Sequence, residues 1–254
     1  IIMRKTKIVC TVGPACSDEK TLADMCLAGM NVARLNFSHG THEQHLQIIN
    51  TIKKVRKALD LPVAILLDTK GPEYRIRTFR DGKITLNDGD TFSLTVEDVQ
   101  GDEHRVSVSY AGMINDLAVG DRVLINNGLV VLEVKQLTAT DAVCDVLSGG
   151  ILSDRKSMAF PNKVLNQIYL SEQDKKDLLF GIENDVDFIA CSFVSRKQDL
   201  IDVRRFLEEN GVSSPALIAK IENRAGIDNI EEICEECDGI MIGRGDLGVE
   251  IPFE

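Results

Sequence analysis

The stretch Asn31-Val32-Ala33-Arg34-Leu35-Asn36-Phe37-Ser38-His39-Gly40 decides the fold. It opens as a short apolar run that reads as a buried strand and closes on polar residues, and beyond Gly40 an amphipathic helix is predicted from about His42 to Leu59. The same strand-then-helix unit stands on both sides of it. Upstream, Lys7-Ile8-Val9-Cys10-Thr11-Val12 ends at Gly13-Pro14, and Ser17-Asp18-Glu19 starts a helix with Leu22, Met25 and Cys26 at helical spacing and Gly29 as its stop. Downstream, Pro62 opens a third strand, Val63-Ala64-Ile65-Leu66-Leu67. Strands alternating with helices in this way predict a parallel sheet with crossover connections.

From Gly71 to about Gln167 the texture changes to short alternating strands broken by Arg80-Asp81-Gly82, Asn87-Asp88-Gly89-Asp90, Asn126-Asn127-Gly128 and Ser148-Gly149-Gly150. That predicts an inserted all-β segment, a small barrel or sandwich without a helix of useful length. The β/α pattern then resumes. Ser171-Glu172-Gln173-Asp174 caps a helix, 187–193 is a strand, Lys197 to Asn210 a helix, 216–220 a strand, Ala225 to Cys234 a helix and 239–242 a strand. Six parallel strands split after the third divide the chain into 1–70, the insert 71–168, and 169–254. The period alone fits an open α/β sheet as well as a barrel.

Composition sets the class. Of 254 residues 44% are hydrophobic and 27% charged, which suits a globular chain rather than a disordered one. No apolar run approaches the length of a membrane span, and Arg4-Lys5-Thr6-Lys7 follows Met3 with no signal-peptide core. The seven cysteines are odd in number and scattered, as expected of free thiols in a cytoplasmic protein; Cys234 and Cys237 lack the second pair a zinc site would need. The net charge of −11 is uneven: residues 1–70 balance at +4, 71–170 at −4 and 171–254 at −11. Such acidity argues against nucleic acid but leaves room for a small phosphorylated ligand near the start of the chain.

Polar residues gather where strands end, the place where β/α folds put their ligand sites. The second strand delivers Arg34, Asn36, Ser38 and His39, and the third delivers Asp68, Thr69 and Lys70. The fifth delivers Lys220, Glu222 and Asn223, and the sixth Arg244, Gly245 and Asp246. Glu222 and Asp246 are oxygen ligands of the kind Mg2+ takes, one or two carboxylates with substrate and water completing the shell. Lys220 is two residues before Glu222, so in a strand both side chains share a face; a plain ion pair fits that spacing equally well. Arg34 and Arg75 offer planar forks for phosphate. Asn36, Ser38, Asp68 and Thr69 supply the oxygens a hard monovalent cation requires.

In order and spacing, four segments resemble the signatures of the pyruvate kinase family: Ala33 to Gly40, Leu67-Asp68-Thr69-Lys70-Gly71-Pro72-Glu73, Lys220-Ile221-Glu222-Asn223, and Gly245-Asp246-Leu247-Gly248-Val249-Glu250. The resemblance implies a (β/α)8 TIM barrel interrupted after its third strand by a β-rich lid, the B domain, and phosphoryl transfer from phosphoenolpyruvate to ADP with Mg2+ (or Mn2+) and K+. By the same likeness Lys220 stabilises the transferring phosphoryl group and Arg34 contacts it; these are the catalytic pair. Glu222 and Asp246 hold Mg2+, while Asn36, Ser38, Asp68 and Thr69 form the K+ site, with Glu73 marking K+ dependence. His39, Arg75, Lys156 and Gly245 lie near phosphate or nucleotide.

Tyr74, Ser157, the Asn126-Asn127 pair and Gly243 depart from the family's usual residues. The family also continues past Glu254 through two more barrel strands and a C-terminal domain, and its full-length members are expected to be homotetramers. The 254-residue chain is therefore expected to be a fragment, weakly stable or inactive by itself. Two other readings share its features: a metal-dependent aldolase or lyase barrel, and a binding fragment without catalysis.

Overall fold

The computed structural model describes residues 5–163, 165–212 and 215–251. In chain order β1 (Val9–Thr11), α1 (Glu19–Ala28), β2 (Val32–Asn36), α2 (His42–Ala58) and β3 (Ala64–Asp68) form the first β/α run. Asp18 caps α1 by accepting the Thr21 N–H. Thr41 and Gln44 cap α2 reciprocally, which satisfies two of the N–H groups a helix start leaves without partners. Ile49, Ile52 and Val55 are the buried stripe of α2.

The insert holds β4 (Lys83–Leu86), β5 (Thr91–Thr95), β6 (Arg105–Ser107), α3 (Met113–Asp116), β7 (Arg122–Ile125), β8 (Val130–Leu137), β9 (Asp141–Ser148), β10 (Gly150–Ser153) and β11 (Met158–Ala159). One six-stranded sheet runs β11-β7-β8-β9-β5-β6, and β10 pairs with β4 beside it. Its core is made within the insert, from Ile76 to Phe160, with Phe92, Leu94, Val123, Ile125, Leu132 and Cys144 almost fully buried. Asn126 and Asn127 both adopt left-handed backbone in the turn joining β7 to β8, a conformation asparagine tolerates better than most residues. The one-turn α3 is a helix the alternation pattern had not predicted.

After the insert come α4 (Glu172–Glu183), β12 (Phe188–Cys191), α5 (Lys197–Glu209), β13 (Ala216–Ile221), α6 (Arg224–Asp228), α7 (Ile230–Glu236), β14 (Gly239–Ile242) and α8 (Arg244–Glu250). The predicted helix from Ala225 to Cys234 is two helices, because Asn223 caps α6 early and the chain breaks at Asn229, whose N–H bonds the Ala225 carbonyl. Arg244, Gly245 and Asp246, read as following the sixth strand, are the first turn of α8.

The six strands of the β/α part form one sheet in the order β1-β2-β3-β12-β13-β14, so the neighbours are sequential and β12 follows β3 across the insert. The pairs β1–β2, β2–β3, β3–β12 and β12–β13 are parallel. Residues 65–68 of β3 are buried on both faces, as a parallel strand covered by helices must be. The chain divides into two compact units, one of residues 1–71, 169–220 and 231–241, the other of residues 72–168, 221–230 and 242–254. All seven cysteines are unbridged. No helix among the described residues is long and apolar enough to cross a membrane.

Candidate active site

In the first unit, the register of the parallel sheet builds the site. Asn36 is the Cα partner of Asp68, and Asp68 is the partner of Ala190, so the C-terminal ends of β2, β3 and β12 stand side by side. Asp68 is 1% exposed and sits between two cations. Arg34 reaches its Oδ2 through Nη2 at 2.5 Å and Nε at 2.6 Å, and the Lys220 ammonium lies 2.9 Å from its Oδ1. Arg34 also donates through Nη1 to the Thr11 hydroxyl at 2.5 Å. Four strands, β1, β2, β3 and β13, thus deliver one residue each to a single hydrogen-bonded group.

Ser192, one residue past β12, closes it. Its Oγ accepts from Lys220 Nζ at 2.7 Å and lies 2.6 Å from the Thr69 carbonyl and 3.1 Å from Asp68 Oδ1, while its N–H donates to Thr69 Oγ1. The Tyr169 hydroxyl donates to the Ser192 carbonyl. Gly71 is required beside it: its φ is +66° and a Cβ would stand 2.7 Å from that same carbonyl oxygen. Thr11, Ser192 and Tyr169 were not among the site residues read from the sequence. Ser192 carried a usable signal, since it follows the fourth strand as Asp68 ends the third.

An isolated buried carboxylate is costly, and here two cations and a hydroxyl complete it. A carboxylate has about four lone-pair positions, so Asp68 keeps acceptor capacity beyond its two cations. Asn36 Oδ1 accepts the Ser38 N–H at 3.0 Å, folding the Ser38-His39 turn back on β2. His39 is exposed, and its carbonyl accepts from the His45 ring Nε2 at 2.9 Å. His45 is buried, stacked 4.1 Å from the Phe37 ring, and its Nδ1 has no partner among the described residues. Burial holds its pKa below the ordinary 6.5, so the ring is neutral with the proton on Nε2.

The second unit carries the remaining candidates. Glu222 is 3% exposed and lies against the backbone of Gly243, where an added Cβ would meet its Cγ at 2.4 Å. Gly243 donates its N–H to the Ile221 carbonyl, tying the start of α8 to the end of β13. Gly245 and Asp246 are exposed in the first turn of α8. At the end of that helix burial raises the Glu250 carboxyl to about 7; the nearby Asp246 charge adds to the rise and the Phe160 N–H opposes it. Arg75 is ion-paired with Glu73 and donates to the Arg155 carbonyl at 2.7 Å. Lys156 is half-buried, and its carbonyl accepts the Ile76 N–H. The structure therefore gathers Arg34, Asp68, Thr69 and Lys220 into one network, keeps Asn36, Ser38 and His39 on the adjoining turn, and holds Glu222 beside the turn into α8.

Known proteins resemble this chain over nearly its whole length. Pyruvate kinases of Staphylococcus haemolyticus and Staphylococcus aureus are each 48% identical over 254 residues, 99% of this chain and 43% of their own length. A crystal structure of a pyruvate kinase from Cryptosporidium parvum superposes with a TM-score of 0.94 at 38% identity, covering 98% of this chain and 52% of that one. The chain thus spans less than half the length of the curated relatives it matches. The family model described as the barrel domain of pyruvate kinase matches residues 3–254, and the chain belongs to the pyruvate kinase family.

Proposed function

We propose that this chain carries the phosphoenolpyruvate-binding and phosphoryl-transfer centre of a pyruvate kinase, making pyruvate and ATP from phosphoenolpyruvate and ADP in cytoplasmic glycolysis. The observation that carries the reading is the Arg34–Asp68–Lys220–Ser192 cluster, a largely buried group of two cations, a carboxylate and a hydroxyl at the C-terminal strand ends. Asp68 fixes the directions of Arg34 and Lys220 before a ligand arrives, so little ordering is left for binding. That is how fixed charges favour a transition state in which negative charge spreads over phosphoryl oxygens. Lys220 presents its ammonium to the transferring group, and Arg34 its remaining N–H donors. The turn Ser38-His39-Gly40 is one candidate for phosphate contacts; within the insert, Arg75 and Lys156 are others.

The donor chemistry at Glu222 and Asp246 fits Mg2+ or Mn2+: both are carboxylates, and Gly243 leaves the Glu222 carboxylate packed against bare backbone. Bound there, the ion would supply Lewis-acid neutralisation of phosphate oxygens. Asn36, Ser38, Asp68 and Thr69 offer the oxygens for K+. An aldolase or lyase would have no use for the Ser38-His39-Gly40 turn, and the family match favours the kinase. A coupled assay for ADP-dependent pyruvate formation tests the proposal, run on the 254-residue chain and on the chain extended to its relatives' length. Turnover that needs Mg2+ and disappears in Lys220→Met supports it; ADP-independent release of pyruvate would overturn it.

A further inference from the structure

A second basic site lies wholly within the insert. A cavity of about 600 Å³ is lined by Arg75, Arg77, Arg155, Ser109, Gln100 and Asp98, among others. In an acidic chain, three arginines face one acid there. Arg75 and Arg77 are two apart on one extended stretch and so share a face. That stretch is held to the segment carrying Arg155: Arg75 bridges Ser157, the Ile76 N–H donates to the Lys156 carbonyl, and the Arg155 N–H donates to the Arg77 carbonyl at 3.0 Å. Arg77 and Arg155 are both exposed. The Arg77 guanidinium makes one long bond, Nε to the Val108 carbonyl at 3.4 Å, and that of Arg155 has no acceptor among the described residues.

The backbone supplies an independent observation. Arg155 has φ +57°, a left-handed conformation that costs a residue with a Cβ about 1 kcal/mol and costs glycine nothing. The strain is maintained from both sides, by its N–H on Arg77 and by the Arg75 guanidinium on its carbonyl. A strained residue is the place to look for function, and the side chain held here is a guanidinium with no protein partner, at the wall of a cavity. From these observations we infer that the cavity binds a small phosphate-bearing polyanion, with Arg77 and Arg155 as its forks and Arg75 anchoring the wall. Neither Lys220 nor Glu222 lines the cavity, and the inference does not rest on the proposed catalytic function.

Isothermal titration of the chain with inorganic pyrophosphate, without phosphoenolpyruvate, nucleotide or divalent metal, tests it. The variants are Arg155→Gly, which relieves the backbone strain and so keeps the fold, and Arg77→Gln; Arg75 is left intact because of its proposed catalytic part. Saturable binding is expected, weakened by about tenfold in each variant and strengthened severalfold in Asp98→Asn, with Lys220→Met unchanged. Absence of saturation up to about 10 mM, or binding indifferent to both arginine variants, overturns the inference. Binding lost in Lys220→Met but kept in Arg155→Gly would place the anion at the proposed catalytic centre and also overturn it.

Discussion

Asp68 holds two cations that would otherwise face each other inside the sheet's end. Asp68→Asn removes the charge and keeps the shape, so Arg34 and Lys220 lose the carboxylate they share. Because Arg34 is a quarter exposed, water relieves part of the cost, and a loss of about 2–4 kcal/mol is expected in urea unfolding. Added phosphate should recover part of that loss, since an anion can take the missing charge. His45 gives a prediction in pH. Its folded pKa lies below the unfolded value of 6.5, so the unfolded chain takes up the proton first as pH falls. The contribution is fully present above pH 6.5 and is lost below it. His45→Gln keeps a donor for the His39 carbonyl, and its melting temperature should fall less than the wild type's between pH 7 and pH 5.5.

At the scale of elements, Gly243 lets the turn into α8 lie on the Glu222 carboxylate. Its φ of −82° suits alanine, so Gly243→Ala acts only through the new Cβ, which Glu222 must swing aside to admit. The expected result is a several-fold higher Mg2+ concentration for half-maximal binding at nearly unchanged melting temperature, measured by titration calorimetry. Much of this scale was legible in the sequence. Helix starts such as Ser17-Asp18 and Ser171 and apolar runs such as 63–67 are local signals, and they located the helices and the parallel strands. Asn229 was not legible as a break, because a helix divided by one asparagine keeps its apolar spacing. Ser192 and Thr11 were missed for another reason: each is an ordinary hydroxyl until the sheet register sets it beside Asp68 or Arg34. Arg77 and Arg155 are far apart in sequence and meet only through the pairing of two insert segments.

For the molecule as a whole, the insert's core is self-contained between Ile76 and Phe160. Amide exchange should therefore show β5, β8 and β9 protected under conditions where β1 and β14 already exchange. Among the described residues those two strands have a neighbour on one side only, and Val9 and Ile242 on them are 46% and 55% exposed. Such edges invite pairing with another copy. Sedimentation of the 254-residue chain should show mass rising with concentration, and Ile242→Lys should reduce the effect; a concentration-independent monomer would refute this.

The bond between Asp68 and Lys220 also has a history in time. The acid leaves the ribosome roughly 150 positions before the lysine, and at about 5–20 residues per second it waits roughly 8–30 s for that partner. During the interval the entire β insert is synthesised and has time to fold, so the centre forms only after that segment has left the ribosome. Slowing translation within 72–168 should leave the yield of active-site closure unchanged, whereas a substitution that delays folding of the insert's Phe92 core should lower it.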